Sequence, residues 1–133
     1  MGQLNQLTEQ IIGCAMTVHT RLGPGLLESA YQKCLEYELL KAGLQVEYEK
    51  PIPLVYDSLK LECGYRIDLL VQGQVIVEVK AKETFHPVDY AQLLSYLRLS
   101  DLQVGLLINF HSVRLKDGIK RVTVHTSMCF TDR

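Results

Sequence analysis

The stretch 66-RIDLLVQGQVIVEVKAKE-83 sets Asp68, Glu78 and Lys80 inside a run of Ile, Leu and Val that reads as an apolar hairpin. Strand side chains alternate between faces, so Ile76, Glu78 and Lys80 share one side and Val75, Val77 and Val79 the other. On the preceding strand Arg66, Asp68 and Leu70 oppose Ile67 and Leu69. A two-residue turn at Gln72-Gly73 would set Asp68 against Val77. A three-residue turn, 72-QGQ-74, sets Asp68 against Glu78 and Arg66 against Lys80. Only the second keeps the charges together and leaves the valines on the other face, and a slip of one residue would exchange the faces. The sequence therefore predicts Asp68 facing Glu78.

Two carboxylates in that position repel each other unless something compensates. Lys80 is one compensator. A divalent cation is a better one, because closely spaced hard oxygen ligands suit Mg2+ or Mn2+. With a lysine beside it, such a centre could stabilise a developing anion or activate a water, as hydrolysis of a phosphodiester requires. The rival reading is an exposed polar face carrying an ordinary Glu/Lys ion network.

Outward from the hairpin, Leu4, Leu7, Ile11, Ala15, Val18 and Leu22 recur at helical spacing, and 22-LGPG-25 stops that helix. A second helix is expected from about Leu26 to Ala42, capped by Gly43. Its start, 25-GLLESAY-31, makes Glu28 a neighbour of Tyr31 and a candidate third carboxylate for the metal. Pro51 and Pro53 mark an edge strand after Gln45. A turn at 57-DSLK-60 leads into a long strand near residues 61–71, with Leu61, Cys63, Tyr65, Ile67, Leu69 and Val71 on one face, and the next strand covers 75–82. The segment 87-PVDYAQLLSYLRL-99 is helical and puts Gln92 and Tyr96 on one side. The doubly apolar 102-LQVGLLINF-110 suits a central strand made parallel to its neighbour by that helix. A loop at 111–120 and a short strand, 121-RVTVHT-126, complete the order ααβββαββ, an α/β (or α+β) single domain over residues 1–133.

These motifs in this order resemble the GxxExxY proteins, of the PD-(D/E)xK nuclease superfamily. The likeness rests on Gly25–Tyr31, on 64-GYRIDLLVQGQVIVEVKA-81, on 106-LLINF-110 and on 115-LKDGIKR-121, and spans about residues 5–125. The resemblance implies a restriction-endonuclease-like αβββαβ core behind an N-terminal helical hairpin, with the metal where the sheet splays. It implies Asp68, Glu78 and Glu28 as metal ligands, Lys80 as the catalytic lysine, and Gln92 and Tyr96 as support or substrate contacts, with Tyr31 beside them. The proline of the superfamily name is replaced by Ile67. The implied activity is Mg2+- or Mn2+-dependent hydrolysis of DNA, with a homodimer expected by analogy. The alternative is an inactive nucleic-acid-binding or protein-interaction module on the same fold.

A formal net charge of −1 provides no global attraction to nucleic acid, so phosphate binding must come from a metal or a local patch such as Lys116, Lys120 and Arg121. Cys14, Cys34, Cys63 and Cys129 form no CxxC pair and read as reduced core or near-core residues. His19, His86, His111 and His125 lack metal-ligand spacing. The N-terminal residues do not read as a signal peptide, and no apolar run is long enough to span a bilayer, so a cytoplasmic location is expected.

Overall fold

The computed structural model describes residues 2–124. Helices α1 (Gly2–Leu22) and α2 (Glu28–Lys41) are followed by strands β1 (Val46–Tyr56), β2 (Leu59–Val71) and β3 (Val75–Lys80). Helix α3 (Pro87–Ser100) then crosses to β4 (Val104–Asn109), and β5 (Ile119–Thr123) comes last. The five strands form one sheet in the order β1-β2-β3-β4-β5, antiparallel except for the β3–β4 pair. The fold is α/β and consistent with the restriction-endonuclease-like architecture. The expected helix-crossover pairing, the edge position of the proline-bearing strand and Pro87 opening α3 all hold. His125 and Cys129 lie outside the described residues.

Two apolar layers sandwich the sheet. Leu7, Ile11, Ala15 and Val18 of α1 and Tyr31, Leu35 and Leu39 of α2 pack on Leu69, Val71, Val75, Val77 and Val79. On the opposite side Leu93, Tyr96 and Leu97 of α3 pack with Ile52, Ile67, Leu70, Ile76 and Leu107. Among the described residues no helix is long and apolar enough to cross a membrane.

Two expectations need correction. Ile67 and Leu69 do not share a face: Leu69 joins the α1/α2 layer, whereas Ile67 joins the α3 layer. The cause lies beside them. Glu49 of β1 takes a left-handed φ of 51°, and the paired positions on either side of it are Tyr48↔Leu69 and Lys50↔Ile67. The regular alternation of β2 is interrupted there. The second correction concerns the far part of β1 and β2, which extends past the core as a two-stranded arm. Leu61, Cys63 and Tyr65 are exposed, so Cys63 is not a core residue. Cys14, Cys34 and Cys63 are free thiols, and the first two are half-buried.

Helix α3 lies close on β4 at Gly105, where an added Cβ would stand 2.7 Å from Cδ1 of the fully buried Leu93. Packing at that density tolerates little extra volume. Gly105→Ala is expected to destabilise the fold by about 1–3 kcal/mol in urea denaturation. A variant as stable as the parent would mean that α3 rides more loosely over the site.

Candidate metal centre

The hairpin has the register that the charges predict. Leu69↔Val77, Leu70↔Ile76 and Val71↔Val75 pair, joined by Gln72-Gly73-Gln74. Gln72 and Gly73 both take positive φ, 56° and 63°, and the Gln74 amide bonds back to the Val71 carbonyl at 3.0 Å. The paired ladder ends at Leu69↔Val77, and the next residues inward are Asp68 and Glu78.

Here carboxylates bridge the two strands. The Asp68 amide donates to Glu78 Oε2 at 3.0 Å, and the Val79 amide donates to Asp68 Oδ2 at 2.8 Å. Each acid thus binds the opposite strand's backbone, which draws the two carboxylates together at the splayed end of the sheet. Among the described residues Asp68 Oδ1 and Glu78 Oε1 take no hydrogen bond, and neither is a buried, unpartnered atom. One hard oxygen from each acid therefore remains available.

The electrostatics follow from burial. Glu78 is almost wholly buried, and desolvation, then the charge of Asp68, pushes its carboxyl up to about 8. Desolvation also raises Asp68 to about 6, with Glu28 and Glu49 adding to it against the opposing Val79 amide and Lys80. Two like acids this close share their protons as a pair. Lys80 lowers both, yet among the described residues it makes no ion pair within 4.0 Å. Tyr96 feels the same charges: burial, then Glu78 and Asp68, raises its phenol. Two desolvated acids, each with an oxygen that takes no hydrogen bond among the described residues, are a donor set that fits a hard divalent ion.

Helix α2 grips this end of the sheet with two side chains one turn apart. Glu28 accepts the Ala81 amide at 3.3 Å, and Gln32 donates to the Asp68 carbonyl at 3.2 Å. Gln32 went unnoticed in the sequence, although its i+4 spacing from Glu28 was the available signal. The placement of Glu28 depends on the preceding turn. Gly25 adopts φ of 104°, which only glycine takes readily. The Tyr31 hydroxyl donates to the Gly23 carbonyl and accepts the Leu26 amide at 3.1 Å, while its ring stacks on Phe110 at 4.6 Å. Tyr31 therefore straps the turn rather than facing the carboxylates. Tyr31→Phe would orphan that amide and is expected to cost about 1–3 kcal/mol by chemical denaturation. An unchanged midpoint would mean that the strap is dispensable.

A second polar cluster, also unforeseen, fixes the chain just past Lys80. The Lys82 ammonium holds both oxygens of buried Asp89, at 3.1 and 3.0 Å. Asp89 also accepts the His86 amide at 2.8 Å and so caps α3. Burial works against the charge of Asp89, but the His86 amide and Lys82 outweigh it and lower its pKa. Asn109 bonds the Lys82 backbone on both sides, accepting its amide at 3.1 Å and donating to its carbonyl at 2.7 Å.

The other expected residues divide. Tyr96 lies beside the acids, whereas Gln92 is exposed and makes no hydrogen bond among the described residues. Arg66 is exposed opposite Pro51. Lys120 and Arg121 sit on β5, separated from β3 by β4, and Arg121 bonds Asn5 at 2.8 Å. Among the described residues no three His, Cys, Asp or Glu side chains converge as a complete metal cage. The pair Asp68 and Glu78 would need substrate or water oxygens to fill the shell.

Comparison with known proteins adds one finding. The family model of the PD-(D/E)XK nuclease superfamily matches residues 5–122. No curated protein and no solved structure matches the chain.

Proposed function

Because the chain belongs to the PD-(D/E)XK nuclease superfamily, we propose that it is a metal-dependent nuclease of the GxxExxY branch that hydrolyses DNA phosphodiesters with Mg2+ or Mn2+. The observation that carries this reading is the facing pair Asp68 and Glu78, each tied to the other strand and each keeping an oxygen free. A divalent cation bound there would polarise a phosphoryl oxygen and acidify water. Asp68 and Glu78 would hold it, with Glu28 completing the shell through water.

Lys80 extends from the same strand as Glu78 and makes no ion pair among the described residues. Its ammonium orients the attacking water and offsets negative charge that grows on the phosphoryl oxygens. Tyr96 flanks the acids on the α3 side, and Gln92, exposed one turn earlier, would contact the substrate. A second protomer would extend the short protein along a duplex, and a cytoplasmic setting agrees with the free thiols.

Plasmid, linear duplex, single-stranded DNA and RNA incubated with Mg2+, Mn2+ or chelator test the proposal. Metal-dependent cleavage of DNA, lost with chelator, supports it. Binding without cleavage under every condition would favour the inactive module, a reading encouraged by the incomplete cage and the net charge of −1. Cleavage of RNA alone would correct the substrate.

A further inference from the structure

The amides of β2 change sides at Asp68. The Gln72 amide donates to the Gln45 carbonyl at 2.8 Å, toward β1. Successive amides of a strand alternate between its two neighbours, so those of Leu70 and Asp68 should follow Gln72. Leu70 does so and pairs with Glu47, but Asp68 and the next residue along, Glu49, do not pair. The Asp68 amide donates instead to Glu78 Oε2, on the β3 side, at 3.0 Å. Tyr48↔Leu69 and Lys50↔Ile67 keep one register on both sides of the gap, so no residue has been inserted. The left-handed φ of 51° at Glu49 stands at this point. We infer that Glu49 is a positioning residue of the metal centre and acts through its backbone. Its turn withholds the carbonyl that would take the Asp68 amide, leaving that amide to hold Glu78 and the Asp68 carboxylate to reach Val79.

Both strands turn over together at the crossover. Tyr48, Leu69 and Val71 pack in the α1/α2 layer, whereas Ile52 and Ile67 lie in the α3 layer. Side-chain face and amide direction are coupled along a strand, so the amides of β1 exchange sides as well. Unbroken alternation through Glu47 and Glu49 would turn Pro51 toward β2, where a ladder residue must donate and proline cannot. After the crossover Ile52 faces inward and Pro51 falls on the open edge, where proline is tolerated. Pro51 therefore fits the turned strand and not the regular one. Glu49 itself is exposed and makes no ion pair within 4.0 Å among the described residues. Its charge opposes that of Asp68. The part of Glu49 engaged with the site is its backbone.

The crossover orients the centre. The bonds it permits, from the Asp68 amide to Glu78 and from the Val79 amide to Asp68 Oδ2 at 2.8 Å, fix each carboxylate by one oxygen. Gln32 steadies the Asp68 carbonyl from the α2 side at 3.2 Å. A left-handed non-glycine residue persists only where its surroundings impose it, and such residues concentrate at functional sites. The inference rests on the reading of Asp68 and Glu78 as metal ligands. A regular β1 would return the Asp68 amide to the ladder and leave Glu78 without the bond that holds it beside Asp68.

Mg2+ titrations of the full chain without nucleic acid, read as the rise in urea midpoint, test the inference. Glu49→Gly and Glu49→Gln both remove the carboxylate but permit the left-handed turn. Each should bind Mg2+ within about fivefold of the parent, the most an exposed charge contributes. Glu49→Gly should also have the higher midpoint of the two, because glycine enters that region freely. Glu49→Pro cannot take a positive φ and should bind Mg2+ about 10–100-fold more weakly, the range for lost support of a metal ligand. Circular dichroism verifies its fold; should it not fold, Glu49→Val, which resists positive φ, is read in its place. A second readout needs no metal: the nuclear Overhauser contact between the Asp68 amide and the Glu78 side chain. It should be present in the parent and in Glu49→Gly, and absent from Glu49→Pro. Weakened Mg2+ binding in Glu49→Gly and Glu49→Gln alike would make the carboxylate the working group and overturn the proposal. So would a midpoint of Glu49→Gly no higher than that of Glu49→Gln, or a contact and affinity unchanged in the variant barred from the turn. A parent that binds no Mg2+ would refute the metal-dependent reading, and the contact alone would then decide this one.

Discussion

Glu78→Gln is expected to make the metal-free protein more stable at pH 8.5 than the parent, while abolishing any cleavage. Folding raises both acids, Asp68 to about 6 and Glu78 to about 8, chiefly because burial penalises their charge. The folded state therefore binds more protons than the unfolded chain between the ordinary carboxylate range and about pH 8. Stability is highest below that window and falls as pH rises through it, by up to about 1.4 kcal/mol per pH unit for each titrating acid. Glutamine keeps an oxygen for the Asp68 amide but cannot ionise, so its stability profile should be flatter. Saturating Mg2+ should stabilise the parent by about 2.7 kcal/mol at a hundredfold excess over its dissociation constant, and the variant much less. Urea midpoints measured from pH 5 to 8.5, with and without Mg2+, give both results. A parent profile that stays flat without metal would mean that the acids are better solvated than their burial implies.

Lys80→Ala is expected to reduce cleavage about a hundred- to a thousandfold while leaving Mg2+-dependent stabilisation of the fold intact. The ammonium acts on developing charge, not on the cation, so removing it separates catalysis from metal binding. Loss of both together would make Lys80 a structural member of the centre. Undiminished cleavage would remove the lysine from the mechanism altogether.

Much of this was legible in the residues because burial constrains strand registry. Asp68, Glu78 and the valines between them admit only one turn length that sorts charge from hydrocarbon, and the observed pairing uses it. The proline edge strand and the doubly apolar 104–109 strand were equally plain. The turn of Ile67 into the α3 layer was not, because it arises from a left-handed glutamate on a neighbouring strand, a conformation that no periodicity reveals. Gln32 and Asn109 were missed for a related reason. Their bonds go to backbone distant in sequence, at Asp68 and Lys82, and a side chain's identity does not announce such a partner. Lys82 and Asp89 were hidden by the more conspicuous Lys80, although a carboxylate three residues past the start of a helix is a recognisable capping signal.

The prolines of β1 also bear on solubility. A bare strand invites foreign chains to extend the sheet, the first step towards a fibre. Pro51 and Pro53 lack the amide donors that such a chain would need. On the companion strand the register slips between Leu61 and Tyr65, and Gly64 takes a φ of 83°. Neither strand of the arm therefore offers a long regular template to copy.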